Sequence, residues 1–243
     1  MTPEEMLSRL LYRDGLMLVI DKPAGLAVHR GPKGGESLED HFDVLRFGLP
    51  RMPSLAHRLD KDTSGCLVLG RHRKALALLG KLFKQGKIGK NYWAVVEGSP
   101  AEDEGRIDIA LGKLDEDRGW WMKPDPNGMP SSTTWKVMGR APGVTWLALE
   151  PLTGRTHQLR VHCAEMGWPV MGDNIYGSAP RTGGTPLHLH SREIVVPISK
   201  NKPAVVTTAP VPAHMREMLM KCGWTGDVPQ PLIPAQAINT TAL

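Results

Sequence analysis

Residues 57–70 read HRLDKDTSGCLVLG, and the two halves of this segment differ sharply in character. The second half, CLVLG, is a short aliphatic run that ends on glycine, which is typical of a buried strand. The first half packs basic, acidic and hydroxyl side chains into nine positions, with Asp60 and Asp62 two residues apart. The segment therefore predicts a buried strand that is preceded by a polar loop.

The polar half allows two interpretations. Asp60 lies just before the strand and two residues after Arg58, so it could be a nucleophile or general base that a guanidinium keeps ionised. Alternatively, Asp62, Thr63 and Ser64 simply form a turn and bond to the local backbone. Composition favours the turn, because these are ordinary turn residues. Spacing does not choose between the two carboxylates, since alternate residues of an extended chain share one face.

Strands and helices are predicted on both sides of this segment. Residues 15–29 contain two aliphatic runs around a Pro-Gly break, which predicts strand, turn and strand. Ser37 is a candidate helix cap, because apolar residues recur at helical spacing over 38–45. Residues 73–88 predict an amphipathic helix that ends near Gly86.

The second half of the chain continues the alternation of strands and helices. The predicted elements are strands at 90–98, 132–138 and 144–152, a helix within 154–167, and further strands with a last helix within 186–219. Residues 100–130 are rich in acid, glycine and proline and predict a long surface excursion, and 226–243 predict a poorly ordered tail. The whole pattern predicts an α+β fold, with one domain over 1–225 built on a mainly antiparallel sheet with flanking helices.

Composition limits the class of protein. The chain has 243 residues, 41% of them hydrophobic, which is enough for a substantial core. A net charge of +5 mildly favours a polyanionic partner such as nucleic acid. Three cysteines without a CxxC pair support neither a disulfide framework nor a thiolate zinc site, and they favour a reducing cytoplasm. The N-terminus lacks the apolar core of a signal peptide, and no apolar run is long enough to span a membrane.

Two further clusters carry candidate functional groups. Tyr92, in a predicted strand, could stack on a nucleobase, although strand tyrosines more often pack in a core. Residues 152–162, LTGRTHQLRVH, contain two arginines and two histidines. If Thr153 or Thr156 caps a helix, Arg160 lies about one turn from the helix start, in a group of donors suited to phosphate or a carboxylate. The alternative is a solvated basic helix face.

Metal and serine-hydrolase chemistry are weakly supported. His157 and His162 are five residues apart, which turns them away from each other on a helix, and the HLH sequence at 188–190 has no HExxH pattern beside it. No GxSxG sequence is present for a serine nucleophile. No metal site is therefore predicted.

Four blocks of the sequence, taken together, resemble a known family. They are VIDKPAGLAVH, HRLDKDTSGCLVLG, KNYWAVVEG and LTGRTHQLRVHCAEMGWPVMGDNIYG. In this order and spacing, over residues 10–215, they are similar to the RluA-type family of RNA pseudouridine synthases, whose signature is HRLDxxTSG. Many members carry an N-terminal S4-type RNA-binding domain, whereas here the first block begins near residue 20 and leaves no room for one.

The resemblance implies a role for several residues. Asp60 would be the essential catalytic aspartate, whereas Asp62 stands at a position that varies in the family. Arg58 would help to displace the target nucleotide from its stack. Tyr92 would stack on the target uracil, and Arg160 would pair with the Asp60 carboxylate.

The resemblance also implies a fold and a reaction. The fold is α+β, with a bent, mostly antiparallel central sheet and a cleft across it. The reaction isomerises uridine to pseudouridine within ribosomal or transfer RNA and needs no cofactor. Whether the aspartate attacks the sugar, removes a proton from it or stabilises its charge stays open. A non-catalytic RNA-binding protein that keeps the fold is the alternative, a metal-dependent hydrolase is remote, and a monomer is the default expectation.

Overall fold

The computed structural model describes residues 1–31, 34–115, 121–199 and 201–226. The predicted tail, from residue 227 onwards, lies outside the described residues. The helices are α1 (Pro3–Ser8), α2 (Arg73–Lys84), α3 (Gln158–Glu165) and α4 (Ala213–Lys221), with a 3-10 helix at Leu38–Leu45. The strands are β1 (Leu10–Arg13), β2 (Met17–Lys22), β3 (Ser54–Leu55), β4 (Ser64–Gly70), β5 (Gly89–Glu97), β6 (Glu104–Asp108), β7 (Leu111–Lys113), β8 (Met122–Pro124), β9 (Ser132–Ala141), β10 (Val144–Pro151), β11 (Leu189–Val196) and β12 (Val205–Thr208).

The described chain divides into two compact units. The first consists of Met1–Lys90 and Ser191–Pro210, and the second of Asn91–His190 and the described residues from Val211 onwards. The prediction of one catalytic domain over 1–225 stays a prediction beside this division.

The first unit is built on buried strands and one amphipathic helix. β2 pairs antiparallel with both β1 and β4, and the β2 register runs from Met17 opposite Gly70 to Lys22 opposite Gly65. All residues of β4 are buried, as its unbroken apolar run predicts. The α2 helix starts at His72, whose side chain accepts a hydrogen bond from the backbone N–H of Ala75, and its apolar face packs on these strands.

The second unit contains a four-stranded antiparallel arrangement in the order β5, β10, β9, β6. The strands predicted at 132–138 and 144–152 form a hairpin of β9 and β10, with Gly143 at a φ of 77° in its turn. At Gly139 of β9, a Cβ atom would lie 1.8 Å from the backbone oxygen of Cys222, just after α4. Only glycine therefore lets the end of α4 approach this strand.

Several sequence predictions need correction in detail. The second strand predicted within 15–29 does not form, because the carbonyls of Ala27 and Val28 accept hydrogen bonds from Leu38 and Glu39 at the start of the 3-10 helix. The 100–130 segment is not a plain excursion, since it contains β6, β7 and β8, and β6 extends the sheet of the second unit. The sequence pattern also did not predict α1 or β1.

The main features of the predicted fold are confirmed. The protein is α+β, its named strands pair in antiparallel registers in both units, and the helix predicted after Ser37 starts with a capping box between Ser37 and Asp40. The bend of the sheet and the cleft across it stay predictions.

Candidate active site

In the first unit, the polar segment is a short loop between two strands. The backbone N–H of Thr63 donates to the carbonyl of Asp60 at 3.2 Å, which closes a tight turn over Lys61 and Asp62. The Asp60 side chain is half-buried, whereas Arg58 is exposed. The two sequence interpretations are therefore compatible, because the segment is a turn that also leaves a carboxylate accessible.

A buried lysine donates a hydrogen bond to the backbone of this loop. Lys22 is fully buried at the end of β2, and its Nζ donates to the carbonyls of Lys61 at 2.8 Å and Pro23 at 2.7 Å. Burial lowers the pKa of Lys22 to about 7, although the carboxylates of Asp62 and Asp60 oppose this effect. No role for Lys22 was predicted from the sequence. The signal that could have found it is a lysine that ends an otherwise buried strand.

The loop ends at a glycine that cannot be replaced without strain. Gly65 has a φ of 103°, and a Cβ atom there would lie 2.3 Å from the backbone oxygen of Ser191. Only glycine tolerates both this φ and this close approach. The glycine of the polar segment is thus a packing requirement, and it fixes the point where the chain enters β4.

Tyr92 lies in β5 of the second unit, opposite Leu149 of β10. Its side chain is only 9% exposed. A strand tyrosine in this setting suits either packing or the stacking that the resemblance implies, so the role of Tyr92 stays a prediction.

Arg160 lies in α3 and forms a buried salt bridge. Its Nε and Nη2 donate to Oδ2 and Oδ1 of Asp173, both at 2.7 Å, and both side chains are at most 3% exposed. Burial alone would raise the pKa of Asp173, but the bonds from Arg160 and from the backbone N–H groups of Tyr176 and Ile175 hold that pKa below its usual range. The predicted pairing of Arg160 with Asp60 stays a prediction.

The start of α3 differs from the sequence expectation. Neither Thr153 nor Thr156 caps the helix. The cap residue is His157, in the left-handed region with a φ of 52° and without a capping side-chain bond. The Tyr176 hydroxyl accepts from the backbone N–H of Met122 at 2.9 Å and lies 2.8 Å from His157 Nδ1, to which it can donate. This contact holds the strained residue in place.

The basic cluster at 152–162 is not a solvated helix face. His157, Arg160 and His162 are all buried, at 8%, 3% and 0% exposure. The ring of His162 lies 2.9 Å from the hydroxyls of both Thr133 and Ser131. These three side chains are therefore part of the interior of the second unit, and their hydrogen-bond partners, Tyr176, Asp173, Thr133 and Ser131, lie outside the cluster.

The described ranges give no support to a metal centre. No group of three or more His, Cys, Asp or Glu side chains there is arranged to hold a metal ion. Nor does any helix of that part of the chain have the length and apolar character needed to cross a membrane. The three cysteines, Cys66, Cys163 and Cys222, are buried free thiols.

Comparison with known proteins identifies the family. The profile of the RNA pseudouridylate synthase family matches residues 16–165. An uncharacterized RNA pseudouridine synthase of Zymomonas mobilis is 41% identical over 212 residues, which cover 86% of this chain and 96% of that protein. The ribosomal large subunit pseudouridine synthase C of Vibrio cholerae is 34% identical over 87% of this chain and 68% of its own length.

A solved structure agrees with these sequence relatives. The human protein RNA Pseudouridylate Synthase Domain Containing 4 superposes with a TM-score of 0.76 at 25% identity, over 90% of this chain and 95% of the human one. The antiparallel α+β fold, the family match and the relatives all agree with the resemblance drawn from the four sequence blocks. The chain belongs to the RNA pseudouridylate synthase family, whose members are isomerases that convert uridine to pseudouridine in RNA.

Proposed function

We propose that this isomerase modifies large-subunit ribosomal RNA and that Asp60 is its essential catalytic residue. The observation that carries the assignment is the setting of the carboxylate. Asp60 is half-buried in a turn whose next residue, Lys61, is held through its carbonyl by the buried Nζ of Lys22. A carboxylate that must meet a sugar needs this combination of access and fixed position.

The chemistry suits a carboxylate. Isomerisation breaks the glycosidic bond between ribose and N1 of uracil, turns the base, and joins C5 to the same ribose carbon. A carboxylate beside that carbon can attack it, remove a proton from the sugar or stabilise its positive charge, as carboxylates do in glycoside chemistry. All three routes stay open for Asp60.

Arg58 is proposed to help free the target base. A uridine stacked within RNA must leave the stack before an enzyme can reach it, which costs a few kcal/mol. An exposed side chain that fills the vacated space offsets part of this cost. The exposure of Arg58, two residues before Asp60, supports the role that the resemblance implies.

Tyr92 and Arg160 are proposed to serve the same reaction. The resemblance assigns Tyr92 to stacking on the uracil and Arg160 to pairing with the Asp60 carboxylate. The two bonds from Arg160 to Asp173 support this second role indirectly, because they fix the orientation of the guanidinium.

The RNA class is inferred from the relatives. Proteins named ribosomal large subunit pseudouridine synthase C, from Vibrio cholerae and Haemophilus ducreyi, are each 34% identical to this chain. Transfer RNA is kept as the second candidate substrate. A cytoplasmic monomer that works without a protein partner completes the proposal.

The decisive experiment compares two neighbouring carboxylates. Asp60→Asn removes the charge with little change of shape and is expected to abolish pseudouridine formation while RNA binding is kept. Asp62→Asn is the matched control in the same turn and is expected to remain active. Pseudouridine is mapped in RNA from cells that lack the protein and are complemented with each variant.

The possible outcomes separate the rival functions. If Asp60→Asn restores the modification, Asp60 is not the catalytic residue. If the wild-type protein adds no pseudouridine to any RNA but still binds RNA, the chain is a non-catalytic RNA-binding protein. If the modified site lies in transfer RNA, the ribosomal assignment is wrong.

A further inference from the structure

The side chain of His57 accepts a hydrogen bond from the backbone of a sheet strand, in the place of a backbone carbonyl. β3 pairs with the end of β4, and the backbone N–H of Ala56 continues this ladder by donating to the carbonyl of Val68 at 3.0 Å. The N–H of Val68 then donates to Nε2 of His57, also at 3.0 Å. In a regular ladder a backbone carbonyl would accept this bond. The backbone thus stops pairing with β4 at His57, while the imidazole of His57 remains hydrogen-bonded to β4.

We propose that His57 is a positioning residue, which fixes the start of the Asp60 loop through a hydrogen bond accepted by Nε2. An imidazole nitrogen accepts a hydrogen bond only when it carries no proton. The bond from Val68 therefore requires a neutral ring with its proton on Nδ1. A cationic ring would direct an N–H group at the N–H of Val68 and break the tether.

The surroundings of the ring favour this neutral form. Phe83, near the end of α2, stacks on His57 with 4.5 Å between ring centroids and 29° between the ring planes. Burial, assisted by the charge of Lys90, lowers the pKa of His57 to about 3. The ring is therefore neutral at physiological pH, and both the stacking contact and the tether persist there.

The tether matters because of where the loop goes next. Asp60 is three residues after His57, and two further anchors of the loop, at Lys61 and Gly65, lie beyond Asp60. Before Asp60, His57 supplies a hydrogen-bonded anchor, in addition to the buried side chain of Leu59. A displacement of about 1 Å at a reacting group can lower a rate by roughly 100-fold. His57 does not need to touch RNA to have this effect. The inference rests on the proposed role of Asp60.

Two substitutions isolate the hydrogen bond. Gln carries its carbonyl oxygen as many bonds from Cβ as Nε2 is in His, so His57→Gln can still accept from Val68. In Asn the oxygen lies one bond closer to the backbone, so His57→Asn cannot reach. Both variants lose the stacked ring, so the difference between them reports the acceptor alone.

The first measurement is catalytic. The substrate is large-subunit ribosomal RNA from cells that lack this protein, and kcat, KM and the melting temperature are determined for each variant. His57→Asn is expected to lose about 10- to 100-fold in kcat with KM unchanged, and His57→Gln to recover most of that loss. An unchanged kcat in His57→Asn, or equal losses in both variants, would overturn the proposal.

A second measurement needs no substrate. Exchange of the Val68 amide hydrogen is expected to be faster in His57→Asn than in His57→Gln, and equal exchange in the two variants would overturn the tether itself. If the wild-type protein forms no pseudouridine, the proposed function fails, while this exchange result still judges the tether. If His57→Asn does not fold, Phe83→Leu replaces it. That variant keeps the acceptor, so its kcat should stay near wild type, and a loss as large as 10-fold would contradict the proposal.

Discussion

Two polar segments, 57–65 and 152–162, look alike in the sequence but are used in opposite ways by the fold. In the first segment Arg58 is exposed and Asp60 is half-buried, and the loop is fixed mainly through backbone groups. In the second segment His157, Arg160 and His162 are buried, and their side chains are bonded to other side chains. The first segment thus leaves a carboxylate accessible, and the buried side chains of the second belong to the interior of their own unit.

The difference teaches that the density of charged residues does not predict their exposure. In α3 every residue from Gln158 to Cys163 is buried, so no face of this short stretch is left for solvent. A buried charge is tolerated only when it is paired, and Asp173 provides that pairing from thirteen residues further along the chain. The sequence of the cluster alone contains neither the burial nor the partner.

The largest expected effect on stability comes from the second segment. Asp173→Asn removes the charge that faces Arg160. The amide also presents donors, whereas Asp173 accepts from Arg160 and from the backbone N–H groups of Ile175 and Tyr176. Breaking a buried pair of this kind costs roughly 3–5 kcal/mol, which we expect as a lower free energy of unfolding in urea.

A matched exposed pair serves as the control. Glu217 and Lys221 form an i,i+4 salt bridge in α4, at 2.9 Å and in contact with solvent. Glu217→Gln is expected to leave the unfolding free energy almost unchanged, because exposed pairs contribute little. Asp60→Asn, from the first segment, should also unfold like the wild type despite its loss of activity. A stable Asp173→Asn protein would show that the two segments do not differ in the way described.

An intermediate effect on stability is expected at Lys22, the buried lysine that is hydrogen-bonded to the first segment. The pKa of Lys22 falls from 10.5 in the unfolded chain to about 7 in the folded protein. Between these values the unfolded chain binds a proton that the folded protein does not, so this group makes the protein more stable as pH rises from about 7 towards 10.5. Lys22→Met keeps an unbranched apolar side chain that is one atom shorter, and it removes this dependence.

The measurement is urea unfolding at several pH values between 7 and 10. The stability of the wild type relative to Lys22→Met should increase with pH, by at most about 1.4 kcal/mol per pH unit. Lys84→Met, at an exposed position of α2, is the control. If the difference between wild type and Lys22→Met is independent of pH, the buried lysine does not lose its proton on folding in this range.

The sequence predicted the strand β4 and the helices α2 and α3 because each carries its own local signal. A continuous aliphatic run and helical spacing are properties of neighbouring residues. The second strand predicted within 15–29 did not form because the carbonyls of Ala27 and Val28 accept hydrogen bonds from the 3-10 helix instead of from a strand. β6 was missed because its partner β9 lies about 25 residues away and its own residues, EGRID, are mostly polar.

In the candidate site, too, residues in a contiguous motif could be predicted and residues with distant partners could not. Asp60 and Arg58 were predicted as site residues because the nine-residue signature is contiguous. Lys22 and Asp173 were missed because their partners, the Lys61 carbonyl and the Arg160 guanidinium, are 39 and 13 residues away. Their importance appears only when burial is known, since the same residues at the surface would contribute little.

The smallest expected effect concerns exposed basic residues, which the second segment does not supply. Arg160 is buried and Arg155 is only partly exposed, so we expect basic residues elsewhere to meet most of the RNA phosphates. The α2 sequence, RKALALLGKLFK, contains four basic residues and no acidic one. Lys81 and Lys84 are exposed and lie three residues apart, which makes them neighbours on one face of the helix. We therefore expect them to contact RNA through its backbone.

Lys81→Gln with Lys84→Gln should weaken RNA binding without changing kcat, because phosphate contacts add affinity but do not act on the reacting bond. Removing one lysine that binds a phosphate is expected to reduce the slope of log affinity against log salt by about 0.7 to 0.9. Lys136→Gln with Lys221→Gln removes the same charge from exposed positions elsewhere. If both double variants weaken binding equally, only the net charge matters. If only the α2 variant binds more weakly, RNA contacts α2. This helix begins three residues after β4 and belongs to the first unit, as Asp60 does.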